Sequence, residues 1–213
     1  LTHDRGHFPR FDVRMKLPAL LCTLVALTLL VQPSPVAAQN SPTEAWQPET
    51  GFVSLFNGKD LSGWNDPKKG ENFEGKTASS DGRYSAANGV LTVNPPKDAP
   101  RLIQQIYTVK EFPKDFVLKL EFRASVNADS GIFLRKPQLQ CRDYLVAGPY
   151  KELKQYKAQD WNQIVVTVKD GVAHCTCNGE VLEAALTLPP TGPIGLEGDR
   201  GTMEYRHIQL KEL

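Results

Sequence analysis

Between residues 116 and 123 apolar and polar side chains alternate without a break. Phe116, Leu118, Leu120 and Phe122 fall on one face, and Val117, Lys119, Glu121 and Arg123 on the other. A period of two over eight residues predicts a β-strand with one buried and one wet face. The turn-forming run Asn127-Ala128-Asp129-Ser130-Gly131 follows, then a second strand over 131–134 and a polar cluster of Arg135, Gln138, Gln140, Arg142 and Asp143. This pattern predicts a hairpin that sets Arg123 and Arg135 on neighbouring strands, as the floor of a binding face.

The same signature recurs along the chain. Residues 84–93 read as a hairpin turned at Asn88-Gly89, and 161–169 as a strong strand. Asp170-Gly171 turns that strand into 172–177, and Asn178-Gly179 turns again into 180–182. Shorter strands are expected near 52–56 and 102–106, with closing strands over 194–197 and 203–210. Polar or Pro/Gly-containing stretches at 66–81, 94–100 and 145–159 are expected as loops. Many short strands, closely spaced turn dipeptides and no helical apolar period predict an all-β sandwich of antiparallel strands. No second composition regime appears, so one domain is expected over 51–213, preceded by a linker or arm over 39–50.

The first 38 residues carry a different signal. Met15-Lys16 precedes an apolar run over 17–31, and a Pro-containing stretch then ends in Val36-Ala37-Ala38. That order is the pattern of a secretory signal peptide, and the run is too short to span a bilayer comfortably. Residues 1–14 read as an upstream extension. The expected location is therefore outside the cytoplasm, periplasmic or extracellular, the alternative being an uncleaved N-terminal membrane anchor. The whole chain has 25 basic and 24 acidic residues. Removing the leader's four basic and two acidic residues leaves 21 and 22. A balance so near neutrality gives no electrostatic footprint for nucleic acid or an anionic membrane. A neutral partner fits better, and no membrane contact is expected after cleavage.

Three cysteines remain: Cys141, Cys175 and Cys177. An odd number leaves at least one thiol unpaired within a monomer, while either Cys175 or Cys177 could bridge to Cys141. Cys-x-Cys is not a usual zinc spacing, and only His174 and His207 could complete a tetrahedron, so small buried apolar residues are the better reading.

Three segments together carry a resemblance. They are Phe52-x-x-Leu55-Phe56-Asn57-Gly58-Lys59-Asp60-Leu61-x-Gly63-Trp64; Glu121-Phe122-Arg123 with Ser130-Gly131-Ile132-Phe133-Leu134-Arg135; and Gly192-x-Ile194-Gly195-Leu196 with Glu204-Tyr205-Arg206-x-Ile208-x-Leu210. In order and spacing they resemble the 3-keto-disaccharide hydrolase family. The resemblance implies a concanavalin A-like jelly-roll β-sandwich, an exported bacterial protein and sugar chemistry. The family's central strand usually reads Glu-x-Gln-x-x-Asp, and the matching positions here are Gln138, Gln140 and Asp143. Gln-x-His-Gly often follows Ile-Gly-Leu in the family, whereas this chain has Glu197-Gly198-Asp199-Arg200, with Asp199 in the histidine's place.

The implied reaction removes the acidified C2 proton of a 3-keto sugar, expels the C1 substituent and adds water. It needs a base and a cationic or hydrogen-bonding group at the enolate oxygen. Asp143, Glu197 and Asp199 are the candidate carboxylates. Arg135, with Arg123 and Arg142 behind it, is the candidate oxyanion partner. Two of these acids could instead act as the pair of an ordinary glycosidase. Arg123, Gln140, Arg142, Tyr144 and Tyr150 are the candidate sugar-binding residues, the tyrosines offering ring faces to a pyranose. Trp161 could offer a ring face too, but core packing is the favoured reading. No cofactor is required, although Asp143, Glu197 and Asp199 could hold a hard divalent cation such as calcium. The other reading is a non-catalytic carbohydrate-binding module on the same sandwich, which the two departures from the family pattern favour somewhat.

Overall fold

A computed structural model describes residues 46–96, 102–146 and 148–213. The leader, and residues 39–45 of the expected linker, lie outside the described residues. Among the described residues fourteen strands form two antiparallel sheets in a jelly roll. The larger sheet runs β12(Glu180–Thr187), β11(Val172–Cys177), β10(Asn162–Lys169), β7(Phe116–Ala124), β14(Met203–Glu212), β5(Val90–Val93), β4(Tyr84–Ala87), and β1(Val53–Ser54) also pairs with β14. The smaller sheet runs β3(Glu71–Asn72), β2(Trp64–Asp66), β6(Gln104–Thr108), β13(Ile194–Gly198), β8(Asp129–Leu134), β9(Gln138–Arg142).

The alternation over 116–123 does what its period requires. Phe116, Leu118, Leu120 and Phe122 are buried, and the residues between them are only partly covered. They belong to the same core as Ile132, Leu134, Ile106, Ile194 and Leu196 of the smaller sheet. Each such side chain contributes about 1.5–3 kcal/mol by leaving water.

The expected hairpin between β7 and β8 does not form. β7 pairs with β10 and β14, whereas β8 pairs with β9 and β13 in the other sheet. Residues 125–128 are a crossover between sheets. The Ala128 amide donates to the Ser125 carbonyl, the Ser125 amide to the Thr202 carbonyl, and Ala128 is buried. Arg123 and Arg135 are consequently on different sheets. The Asn-Gly and Asp-Gly turns behave as expected: Asn88, Asp170 and Asn178 have φ of 51°, 51° and 49°, each followed by a left-handed glycine.

Residues 46–50 are laid on the larger sheet rather than spanning open space. Trp46 stacks on His207 with centroids 4.7 Å apart, and the Glu49 amide donates to Gln209 Oε1 at 2.7 Å. Within 66–81, expected as a loop, β2 and β3 make a short pair. Cys141, Cys175 and Cys177 are unpaired and buried, and so behave as small core residues. No helix among the described residues is long and apolar enough to cross a membrane.

Candidate active site on the open face of the smaller sheet

In the smaller sheet the even positions of β6, β8 and β13 turn inward, so the odd positions share the opposite face. The register sets these side chains in rows. One row reads Gln138, Phe133, Gly195, Tyr107, Asn65 and Asn72. In the next, Gln140 lies beside Gly131 and Glu197 beside Gln105. In the third, Arg142 lies beside Asp129, and Asp129 bridges to Arg200 just past Asp199.

Glu197 sits in the middle row and is 7% exposed. Both its oxygens accept from side-chain amides: Gln105 Nε2 donates to Oε1 at 3.1 Å and Gln138 Nε2 to Oε2 at 2.7 Å. Beneath it, the Ser130 hydroxyl donates to the Glu197 backbone carbonyl at 2.6 Å and lies 2.9 Å from the Tyr205 hydroxyl, fixing the strand from the core side. Burial pushes the Glu197 carboxyl above the ordinary carboxylate range. The Gln105 and Gln138 hydrogen bonds oppose that rise, and the charges of Asp199 and Asp129 add to it. A carboxylate in this condition is a stronger base than a solvated one.

Two glycines shape the floor. A Cβ on Gly131 would lie 2.0 Å from Gln138 Nε2, so the bare backbone at 131 is what lets that amide cross to Glu197. A Cβ on Gly195 would lie 2.6 Å from the Tyr107 ring and 3.0 Å from Phe133 Cβ, so the two side chains crowd position 195. They meet edge to face, with centroids 6.0 Å apart. The Tyr107 hydroxyl makes no hydrogen bond among the described residues. Its pKa is raised by burial first and by Glu197 and Asp66 next. Together these groups give a half-apolar, half-amide surface around one basic carboxylate, a composition suited to a neutral polyol.

Of the sequence-derived candidates, Glu197, Asp199, Gln140 and Arg142 share this face. Gln140 Nε2 donates to Asp129 Oδ1 at 2.8 Å, and Arg142 pairs with Asp129 Oδ2 at 3.4 Å. The others are elsewhere. Arg135 is 6% exposed, and its guanidinium donates to the carbonyls of Pro189 at 2.7 Å and Lys114 at 2.6 Å, so it ties two loops together. Arg123 lies on the far sheet, paired with Glu204 at 2.6 Å and set over the Trp161 ring, which is half-buried beneath Arg123 and Arg206 rather than in the core as expected. Asp143 is 2% exposed and accepts from the Asn127 amide at 3.0 Å, Gln159 at 3.3 Å and the Tyr156 hydroxyl at 3.4 Å. That carboxylate fastens the 125–128 crossover to the 145–159 loop. Tyr144 is fully buried in an aromatic cluster with Phe122, Tyr150 and Tyr156, while Tyr150 is nearly buried and donates to Glu183. Neither ring face is open to a sugar.

With Asp143 facing hydrogen-bond donors, the three carboxylates expected around a cation do not converge. No cluster of three or more His, Cys, Asp or Glu suited to a metal occurs among the described residues. Gln105, Tyr107 and Phe133 escaped sequence reasoning. Their signal was the alternation about Ile106 and Ile132, legible as one face only once the register was known.

Comparison with known proteins agrees with this architecture. Residues 51–211 match the 3-keto-alpha-glucoside-1,2-lyase-like domain. Two solved structures of proteins described as putative glycosyl hydrolases from Parabacteroides distasonis share the fold. One has 19% identity and a TM-score of 0.59, covering 76% of this chain and 94% of its own. The other has 19% identity and a TM-score of 0.57, covering 76% and 99%. A search of curated proteins finds no match. The match over residues 51–211, most of the chain, on a jelly roll whose smaller sheet holds the buried Glu197 between two amides, shows that this chain belongs to the 3-keto-alpha-glucoside-1,2-lyase-like family.

Proposed function

We propose that the domain cleaves a glycosidic bond in a 3-keto-glycoside, with Glu197 as the base. The observation that carries this reading is the buried carboxylate held by Gln105 and Gln138 beside Tyr107, Phe133, Gly131 and Gly195. The 3-keto group makes the C2–H bond acidic. Glu197 takes that proton, and the bonding pair becomes the C2–C3 double bond of an enolate. The enolate then re-forms the ketone and expels the C1 oxygen, which recovers the proton. Water adds to the resulting C1–C2 double bond to give the free 3-keto sugar. Tyr107 and Phe133 offer apolar surface to the C–H side of the ring. Gln105, Gln138 and Gln140 offer donors and acceptors to its hydroxyls. Export, read from the leader, belongs to the same proposal.

A second reading has its own support. Gln138 stands where the family places an acid, and at 2.7 Å from Glu197 it supplies an amide that cannot titrate. The face could then bind a glycan without turning it over. Incubating the purified protein with a 3-keto-disaccharide and following monosaccharide release separates the two. Release that vanishes in Glu197→Gln supports the enzyme. Binding without release supports the module, and release that survives the substitution removes Glu197 as base.

A further inference from the structure

We propose that Lys68 is the cationic group of this site, placed to bind the substrate oxygen that becomes negative when Glu197 removes the proton; the inference rests on the reading of Glu197 above. With Arg135 committed to carbonyls and Arg123 on the other sheet, neither of those guanidiniums reaches this face. Lys68 enters from the side. Its Nζ donates to Gln105 Oε1 at 3.1 Å, and the other end of the same amide donates to Glu197 Oε1 at 3.1 Å. Cation, amide and carboxylate therefore form one chain in which the amide dipole is aligned by charges at both ends. That alignment also fixes which end of Gln105 faces Glu197, since a flipped amide would point N–H at the ammonium and oxygen at the carboxylate.

The lysine is held there by construction. Asp66, fully buried, accepts from the Lys68 and Lys69 amides at 3.0 and 3.1 Å through one oxygen and from Gln104 through the other. The turn that presents Lys68 is thus anchored inside the sandwich at the end of β2. Its neighbour Lys69 reaches instead to Asp81 at 2.8 Å. Lys68 makes no ion pair among the described residues, so its charge is available to a ligand. The step balances with the ammonium as donor only. The C2 proton goes to Glu197, the electron pair to the ketone oxygen, and Lys68 keeps its protons while binding that oxygen.

The test uses two readouts on wild type, Lys68→Met and Lys68→Arg. The first is cleavage of a 3-keto-disaccharide. The second is exchange of the C2 proton of free 3-ketoglucose in D2O, followed by NMR, which reports enolate formation without bond cleavage. Loss of one such donor commonly costs a hundredfold or more in kcat. We expect that loss in both readouts for Lys68→Met, with KM changed by less than threefold and partial recovery in Lys68→Arg. Wild-type exchange matched by Lys68→Met would overturn the role of Lys68 and leave Glu197 standing. A loss confined to KM would also overturn it, making Lys68 a ground-state contact. If wild type neither exchanges nor cleaves, the enzymatic reading fails, and this inference with it.

Discussion

Replacing Gly131 by alanine should disturb Glu197 without disturbing the fold. Gly131 has ordinary extended backbone, so alanine adopts its conformation, and loss of unfolded-state freedom offsets any small packing penalty. The new methyl would fall 2.0 Å from Gln138 Nε2, 2.5 Å from its Cγ and 2.6 Å from its Cδ. Gln138 is exposed and can swing away, and its 2.7 Å hydrogen bond to Glu197 Oε2 goes with it. A hydrogen bond to a charged group contributes about 1.5–3 kcal/mol when buried. Water can reach this one, so about 1 kcal/mol is the appropriate figure, equivalent to a little under one pH unit. The bond favours the ionised carboxylate, hence its loss raises the Glu197 midpoint further. Carboxyl-carbon NMR of Glu197 across a pH series reads this directly, and the acid limb of kcat/KM should move with it. Gln138→Ala should give the same displacement, and the double variant no more than either alone. An unmoved Glu197 midpoint in Gly131→Ala would refute the claim that the bare backbone exists to let the amide cross.

Other outcomes follow from the same geometry. Because burial raises the Glu197 carboxyl in the folded state, its protonation favours folding; that contribution is full below the unfolded value and lost as pH rises through the folded one. Urea titrations of wild type and Glu197→Gln across pH 4–8, a range of about four units, should show this component of the pH slope only in wild type. Arg135→Ala should cost about 1–3 kcal/mol in chemical denaturation by removing two part-buried charge-assisted hydrogen bonds to loop carbonyls, with turnover per folded molecule unchanged. Asp143→Asn should likewise act on stability: the amide oxygen can still accept from Asn127 and Gln159, but those bonds lose their charge and the NH2 group faces the donating Tyr156 hydroxyl; equal loss of turnover at full stability would return Asp143 to the chemistry. Cys175 and Cys177, their thiols pushed up to about 12 by burial, should resist a thiol reagent at pH 8 until the domain is unfolded.

The sequence made the local parts of this fold legible and hid the non-local ones. The β4–β5 and β10–β11–β12 hairpins rest on Asn-Gly and Asp-Gly dipeptides that dictate left-handed backbone within four residues. The run 127–131 carries equally good turn chemistry, yet it links two sheets. What decides between hairpin and crossover is that β10 and β14 occupy both edges of β7, and no local residue encodes that. The site divided in the same way. Glu197 and Asp199 announced themselves by charge, and Arg142 and Gln140 by proximity to a polar cluster. Arg135, Asp143 and Tyr144 carried the same outward marks, but their polar atoms satisfy loops, crossovers and the core, a use invisible before partners are known. Gln105 and Tyr107 are neutral and looked like ordinary strand residues. The register alone brings them beside Glu197.

β14 lies between β7 on one edge and β5 and β1 on the other. The larger sheet therefore has its middle filled by the segment synthesised after all its neighbours. Until residue 212 has left the ribosome, β7 and β5 present unsatisfied edges with nothing to join them, so the sandwich cannot close before β14 is made. A premature stop anywhere before residue 203 should yield not a trimmed domain but an aggregating chain.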